Sequence, residues 1–271
     1  MKKTGIAFVS ILSGLLLAAN AAFADTKLSA ADAAALLKKT DETTAFTKTD
    51  FSAKYSIVQD KPGQGKSVLD AVMYRRDRAS SYTILITGPA KKDKGKGYVQ
   101  FDNNIWYYDP ADKQFVFTSA TDKFQGSNAN NSDFTPQHYS RDYTIAKATR
   151  VTLGKLSCVL FELNAAVEDV SYPTIKLWVT EDDGLIRKRE DYSLSGQLLR
   201  TTLIPKYQSL QKYKEYSVPE SMTIIDNLRG KKINNKMQYE QTVISITLTK
   251  DSFAKQSDAV YTKKYVEMMS K

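Results

Sequence analysis

The 271-residue chain carries one histidine, His138, and one cysteine, Cys158, and these two residues bound the chemistry open to it. A Ser-His-Asp hydrolase would have to use His138 as its base, and no G-x-S-x-G elbow supplies the nucleophile. A histidine-rich metal site is excluded. Cys158 alone offers neither a thiolate pair for zinc nor an intramolecular disulfide. The run GQGKS (63–67) has the look of a phosphate loop, but Asp60 stands where that motif needs its first glycine, and a strand pattern follows instead of a helix. It reads as a hairpin turn. Asp182 and Asp183 are neighbours in a turn, where aspartate belongs on local grounds. No catalytic residue, metal site or cofactor is expected.

What the chain repeats is apolar alternation. Tyr55/Ile57, Val72/Tyr74, Tyr82/Ile84/Ile86, Trp106/Tyr108, Phe115/Phe117 and Leu177/Val179 recur with period two, the spacing of one strand face. The segments 51–58, 67–77, 80–88, 97–102, 105–109 and 114–119 read as a meander of short strands, and 148–153, 156–165, 174–182, 185–193, 197–204, 220–227 and 241–249 as its continuation. Between the two sets lies a polar stretch with aromatics, 121–143, too long for a plain connection and expected to act as a lid, with a short helix near Asp133–Tyr139. An N-terminal helix is marked by Ser29 and Asp32 in a capping box ahead of Ala33, Leu36 and Leu37, and an amphipathic stretch runs from Tyr261 to Met269. Roughly a dozen antiparallel strands with few helices predict a strongly curved sheet or open barrel.

The first residues predict export. Lys2 and Lys3 precede an apolar stretch and a small-residue site, so residues 1–24 read as a cleaved leader and 25–271 as one exported domain, soluble after cleavage. Removing the two leader lysines lowers the formal charge from +9 to about +7. An exported chain rarely meets nucleic acid, so KKDKGK (91–96), RKR (187–189) and RGKK (229–232), all placed at turns, read as solvated charge or as attraction to anionic lipid or an acidic partner.

Four segments carry a resemblance. IWYYDPADKQF (105–115) resembles the tryptophan–tyrosine–proline hairpin of the LolA-like proteins that sort lipoproteins to the outer membrane, with Trp106, Tyr108 and Pro110 at the matching places. FQGSNANNSDFT (124–135) resembles that family's glycine–serine segment ahead of the lid. The stretch 172–201 is similar to the long paired strands of its larger branch, and VPESMTIIDN (218–227) to the strand that follows. The resemblance implies an incomplete β-barrel capped by an N-terminal helix, a lid and a C-terminal helix. It implies a monomeric periplasmic carrier of lipoprotein acyl chains or lipids, served by an inner-membrane transporter and an outer-membrane acceptor.

On the residues themselves, an apolar hollow lined by Tyr55, Ile57, Tyr74, Ile84, Ile86, Trp106, Tyr108, Phe117 and Trp178 is expected, gated by Phe124, Phe134 and Tyr139. Two rivals stand beside the carrier: an accessory subunit of a hydrophobe exporter with a solid core, and a lipid hydrolase using His138. Replacing His138 with Ala separates the last of these. Lipid binding and delivery are expected to be unchanged in the variant, and a lost turnover of a lipid ester would establish the hydrolase instead.

Overall fold

Period-two alternation runs through most of the chain, and the backbone follows it. The computed structural model describes residues 26–168 and 170–270; the leader expected over 1–24 lies outside them. The helix α1 (Ala30–Thr44) comes first. Ser29 fixes its start: the Ser29 hydroxyl accepts the Asp32 N–H at 3.1 Å and donates to the Asp32 carboxylate at 2.7 Å. A meander follows, made of β1 (Phe51–Lys61), β2 (Gly65–Arg76), β3 (Ser81–Gly88), β4 (Gly97–Phe101), β5 (Asn104–Asp109) and β6 (Gln114–Thr118). The crossing segment holds α2 (Tyr139–Asp142). A second meander then runs through β7 (Tyr143–Leu153), β8 (Leu156–Ala165), β9 (Thr174–Thr180), β10 (Ile186–Tyr192) and β11 (Leu198–Leu203). A small ribbon of β12 (Tyr207–Leu210) and β13 (Tyr213–Pro219) precedes β14 (Ser221–Ile233), β15 (Lys236–Thr247) and α3 (Lys263–Met269).

Thirteen strands make one antiparallel sheet in the order β6-β5-β4-β3-β2-β1-β15-β14-β11-β10-β9-β8-β7. Its margins β6 and β7 do not meet, so the sheet is an incomplete barrel, as the alternation predicts. The two meanders are joined through β1 and β15, whose pairing runs from Lys54 with Thr247 to Asp60 with Gln241. Outside β7, residues 26–28 add a further rung: Leu28 N–H donates to the Ala148 carbonyl and Arg150 N–H to that of Thr26.

The concave side buries two apolar cores. Under the first meander Phe51, Ala53, Tyr55 and Ile57 of β1 meet Ala71 and Met73 of β2 and Ile84 and Ile86 of β3. Under the second, Leu36 and Leu37 of α1 cover Val159, Phe161, Leu163, Leu177 and Val179. A third cluster lies on the convex side, where α3 sets Val266 against Leu85, Val99 and Tyr108. Gly97 permits that approach, because a Cβ there would fall 2.8 Å from Val266 Cγ1.

Three expectations are corrected. The single helix foreseen near Asp133–Tyr139 is two separate turns, Asn131–Phe134 and α2, because Pro136 holds Thr135 extended (φ −115°, ψ 165°). RKR and RGKK lie within β10 and β14, not at turns. The outer halves of β14 and β15 form strands although their lysine-rich sequence shows little apolar alternation.

The segment leading to α3 is strapped to β2 by a buried carboxylate. Asp50 accepts from Arg76 Nε (3.0 Å) and Nη2 (2.9 Å) and from the Gln256 N–H (2.8 Å), with Arg78 Nη1 at 2.8 Å. Arg76 also bonds Asp258 and stacks 4.4 Å from the Tyr261 ring centroid. Burial alone would raise the Asp50 carboxyl, but the Arg76 and Gln256 hydrogen bonds and the charges of Arg76 and Arg78 outweigh it and bring it to about 2. A carboxyl lowered on folding stabilises fully above its ordinary value of 3.8, and that contribution disappears as pH falls through about 2. Linkage sets it at roughly 2 kcal/mol. Asp50→Asn is therefore expected to lose about that much at neutral pH in urea unfolding, and to flatten the stability profile between about pH 4 and pH 2.

Candidate functional site

The concave face is wider than its covers, and a hollow remains between the two cores. A cavity of about 120 Å³ opens beside the C-terminal end of α1, under the segment 131–139 and over β1, β10, β11, β14 and β15. Phe46, Phe51, Tyr55, Ile186, Met222 and Ile246 give it an apolar wall. Arg75, Asp133, Gln137, Arg189 and Thr202 give that wall polar points. Apolar cavities of roughly 150 Å³ stay dry and take benzene-sized guests, so the closed hollow holds a fragment of an acyl chain, not a whole one.

Its roof is locked to the sheet by charges. Arg200 of β11 grips Asp133 with both terminal nitrogens, at 2.6 and 3.0 Å, while its Nε donates to Asp191 of β10 at 2.7 Å. Arg189, two residues before Asp191 and on the same face of β10, donates to the other Asp191 oxygen at 2.5 Å. It also reaches the Tyr139 hydroxyl at 3.0 Å and Gln137 Oε1 at 3.3 Å. Two arginines and two carboxylates thus form a neutral buried chain from sheet to roof. Burial works against both arginines, but Asp133 and Asp191 hold them firmly protonated. Burial likewise pushes Asp133 up, and the Arg200 charge and hydrogen bonds more than reverse it. Breaking such a pair costs much more than the pair itself contributes, because a lone buried charge is left behind.

Secondary ties complete the roof. Asp41, near the end of α1, accepts the N–H groups of Tyr139 (2.7 Å) and Ser140 (2.9 Å) and the Ser140 hydroxyl (2.6 Å), which fixes the start of α2. Phe134 packs at a tilt against Phe124 at 4.6 Å and against Tyr55 at 6.0 Å between ring centroids. Thr202 Oγ1 is buried at the cavity wall with no hydrogen-bond partner among the described residues.

The expected site residues divide by face. Tyr55 borders the cavity, and so do Phe134 and Tyr139 of the lid segment. Ile57, Ile84 and Ile86 lie on the same concave face but are sealed into the core, where Phe124 joins them. Tyr74, Trp106, Tyr108, Phe117 and Trp178 are corrected: they point to the opposite face. Tyr74 packs on Tyr265 of α3, Tyr108 on Phe115, and Trp106 on Phe117 with Lys263 Nζ 3.3 Å from its ring centroid. Phe117 is 57% exposed. Trp178 sits under Lys188 Nζ at 4.4 Å, while its neighbours Leu177 and Val179 face the core. In the triple aromatic it is Tyr107 that turns inward, to Tyr98 at 5.0 Å. Sequence reasoning missed Arg189, Asp191, Arg200 and Asp133. The signal available was RKRED, in which Arg189 and Asp191 share a strand face that Leu177 and Ile175 occupy in the neighbouring strand β9.

Among the described residues no cluster of three His, Cys, Asp or Glu could hold a metal ion, and no helix is long and apolar enough to cross a membrane. His138 is exposed at the entrance to α2.

The open antiparallel sheet of this chain is similar in fold to several solved structures. A LolA superfamily protein from Nitrosomonas europaea, NE2245, is 20% identical with a TM-score of 0.67, over 85% of this chain and 97% of its own. A putative outer membrane lipoprotein-sorting protein domain from Vibrio parahaemolyticus is 13% identical with a TM-score of 0.69, over 86% and 97%. A DUF1329 family protein from Desulfovibrio piger is 15% identical with a TM-score of 0.71, over 89% and 100%. No curated protein matches the chain. A family model described as "-like: Uncharacterized protein" matches residues 78–267, most of the chain, so the chain belongs to that family, and the solved structures show that its fold is that of the LolA superfamily protein.

The charged chain generates a prediction. Asp133→Asn is expected to loosen the roof and accelerate amide hydrogen exchange across 131–142 by on the order of a hundredfold or more, with the sheet amides little changed. Exchange at the wild-type rate in that segment would show that the ion pair does not hold it.

Proposed function

We propose that this protein is a periplasmic carrier that shelters the acyl chains of lipoproteins or related lipids and passes them toward the outer membrane. The observation that carries the reading is an apolar cavity roofed by a segment tied down by ion pairs, which can break and reform without covalent change. An acyl chain of about fifteen methylenes loses on the order of 12 kcal/mol when exposed to water, so transit between two membranes needs an apolar shelter. The closed hollow is too small for such a chain. Loading therefore displaces Phe134 and the segment 131–139, and the Arg200–Asp133 pair resists that opening until cargo fills the space. Tyr139 moves with the same roof, while Phe124 stays in the core against Tyr98. No catalytic residue or cofactor takes part. An inner-membrane transporter would supply the cargo and an outer-membrane acceptor would receive it. The leader read in residues 1–24 and the family resemblance support the compartment.

A second reading has its own observation. Phe46, Phe51, Phe124, Phe134 and Phe253 fill much of the concave side, which favours an accessory subunit of a hydrophobe exporter that carries no cargo. Native mass spectrometry of protein purified from the periplasm without detergent tests both readings. Added mass in the range of a lipid or acylated peptide is expected, lost when a cysteine pair crosslinks the Phe134 turn to the β1 rim before loading. Protein that is bare in every preparation would reject the carrier in favour of the solid subunit.

A further inference from the structure

Two hairpins run on past the rest of the sheet. Beyond the Asp60–Gln241 pair, β15 has β14 as its one ladder partner, and Gly230–Tyr239, Lys231–Gln238, Lys232–Met237 and Ile233–Lys236 bond to each other alone. The β1–β2 turn accompanies them, since a Cβ at Gly63 would lie 3.0 Å from the Lys231 side chain. These two tips carry side chains that nothing covers: Leu228 and Met237 are each 55% exposed, and Val68 and Tyr239 are exposed too. Of the tip charges, Lys66 is paired with Asp60 and Arg229 with Asp226. Lys231, Lys232 and Lys236 enter no ion pair among the described residues and stand in solvent. At the root of the tips, Gln59 Nε2 donates to the Gly126 carbonyl at 3.1 Å, and the Asn128 N–H donates to Thr242 Oγ1 at 2.9 Å. The hairpins therefore bond directly to the segment that continues into the cavity roof.

We propose that the paired tips dock the protein on an anionic phospholipid bilayer. Exposed leucine, methionine and tyrosine can enter the acyl boundary, while unneutralised lysines on the same hairpin extend their stems and meet headgroup phosphates. An acidic protein would be served by the lysines alone; the apolar side chains interleaved with them favour the lipid interface, where both kinds of group find partners. Docked this way, the segment 124–131 lies near the headgroups, and the contacts through Gln59 and Thr242 connect the tips to the roof.

Co-sedimentation with vesicles tests the inference. The purified protein is expected to partition onto phosphatidylglycerol–phosphatidylcholine vesicles, less so as salt rises, and little onto phosphatidylcholine alone. Combined Lys231→Gln, Lys232→Gln and Lys236→Gln should lower the partition on the order of a hundredfold. Combined Leu228→Ser and Met237→Ser should lower it about tenfold or more, independently of salt. Lys91→Gln, Lys92→Gln and Lys94→Gln, which remove the same charge from the turn beside α3, should leave it near the wild-type value. All the substituted side chains are exposed, so the thermal unfolding of each variant should match the wild type. The inference is overturned if the protein ignores both vesicles, in which case a protein partner covers the tips. It is equally overturned if both vesicles bind alike, or if the turn variant loses as much as the tip variant.

Discussion

The pairing of β1 with β15 is the contact on which the rest of the molecule depends. It joins residues nearly two hundred positions apart in the chain, Lys54 with Thr247 through Asp60 with Gln241, and turns two meanders into one wall. Without it each meander would present a bare strand and an uncovered apolar face. With it the sheet curves around a concave side too broad for α1 and the crossing segment to fill. The hollow follows from sheet width, not from any special lining residue. The same pairing brings ends of the chain together late, since loop closure over such a distance comes before any reward in contacts.

The cover over that hollow is held by polar groups, and this suits a part that has to come away. An apolar roof of equal area would be sealed by dispersion and water exclusion, whereas ion pairs are geometrically strict and fail together once their alignment goes. The neutral sum of Arg189, Arg200, Asp133 and Asp191 matters as well. The group adds no net charge to the cavity wall while it holds directional bonds.

The architecture was legible because period-two alternation is a strong signal over long strands; the site was legible only in part. Alternation at Trp106, Tyr107 and Tyr108 gives parity, and parity names a face only when one face is polar. Here α3 covers the convex side of the first meander, so both faces read as apolar and the inward residue is Tyr107, not its neighbours. At Arg189 and Asp191 the difficulty is reversed. Charges in a strand read as solvent-facing, and their burial depends on partners from β11 and from Asp133, far away in sequence. The tips of β14 and β15 were invisible for a third reason: polar, lysine-rich hairpins are held by backbone ladders, which leave no side-chain pattern.

The unequal treatment of the sheet's two margins sets how copies of this chain could associate. The outer side of β7 is partly occupied by residues 26–28, which bond to the Ala148 carbonyl and the Arg150 N–H at its middle. Among the described residues no strand or bridge pairs with the outer side of β6, and Val116 there is 58% exposed. At the two margins of the large sheet, the rail left wholly open is therefore that of β6, five residues long, which is too short to nucleate a stable ribbon unaided.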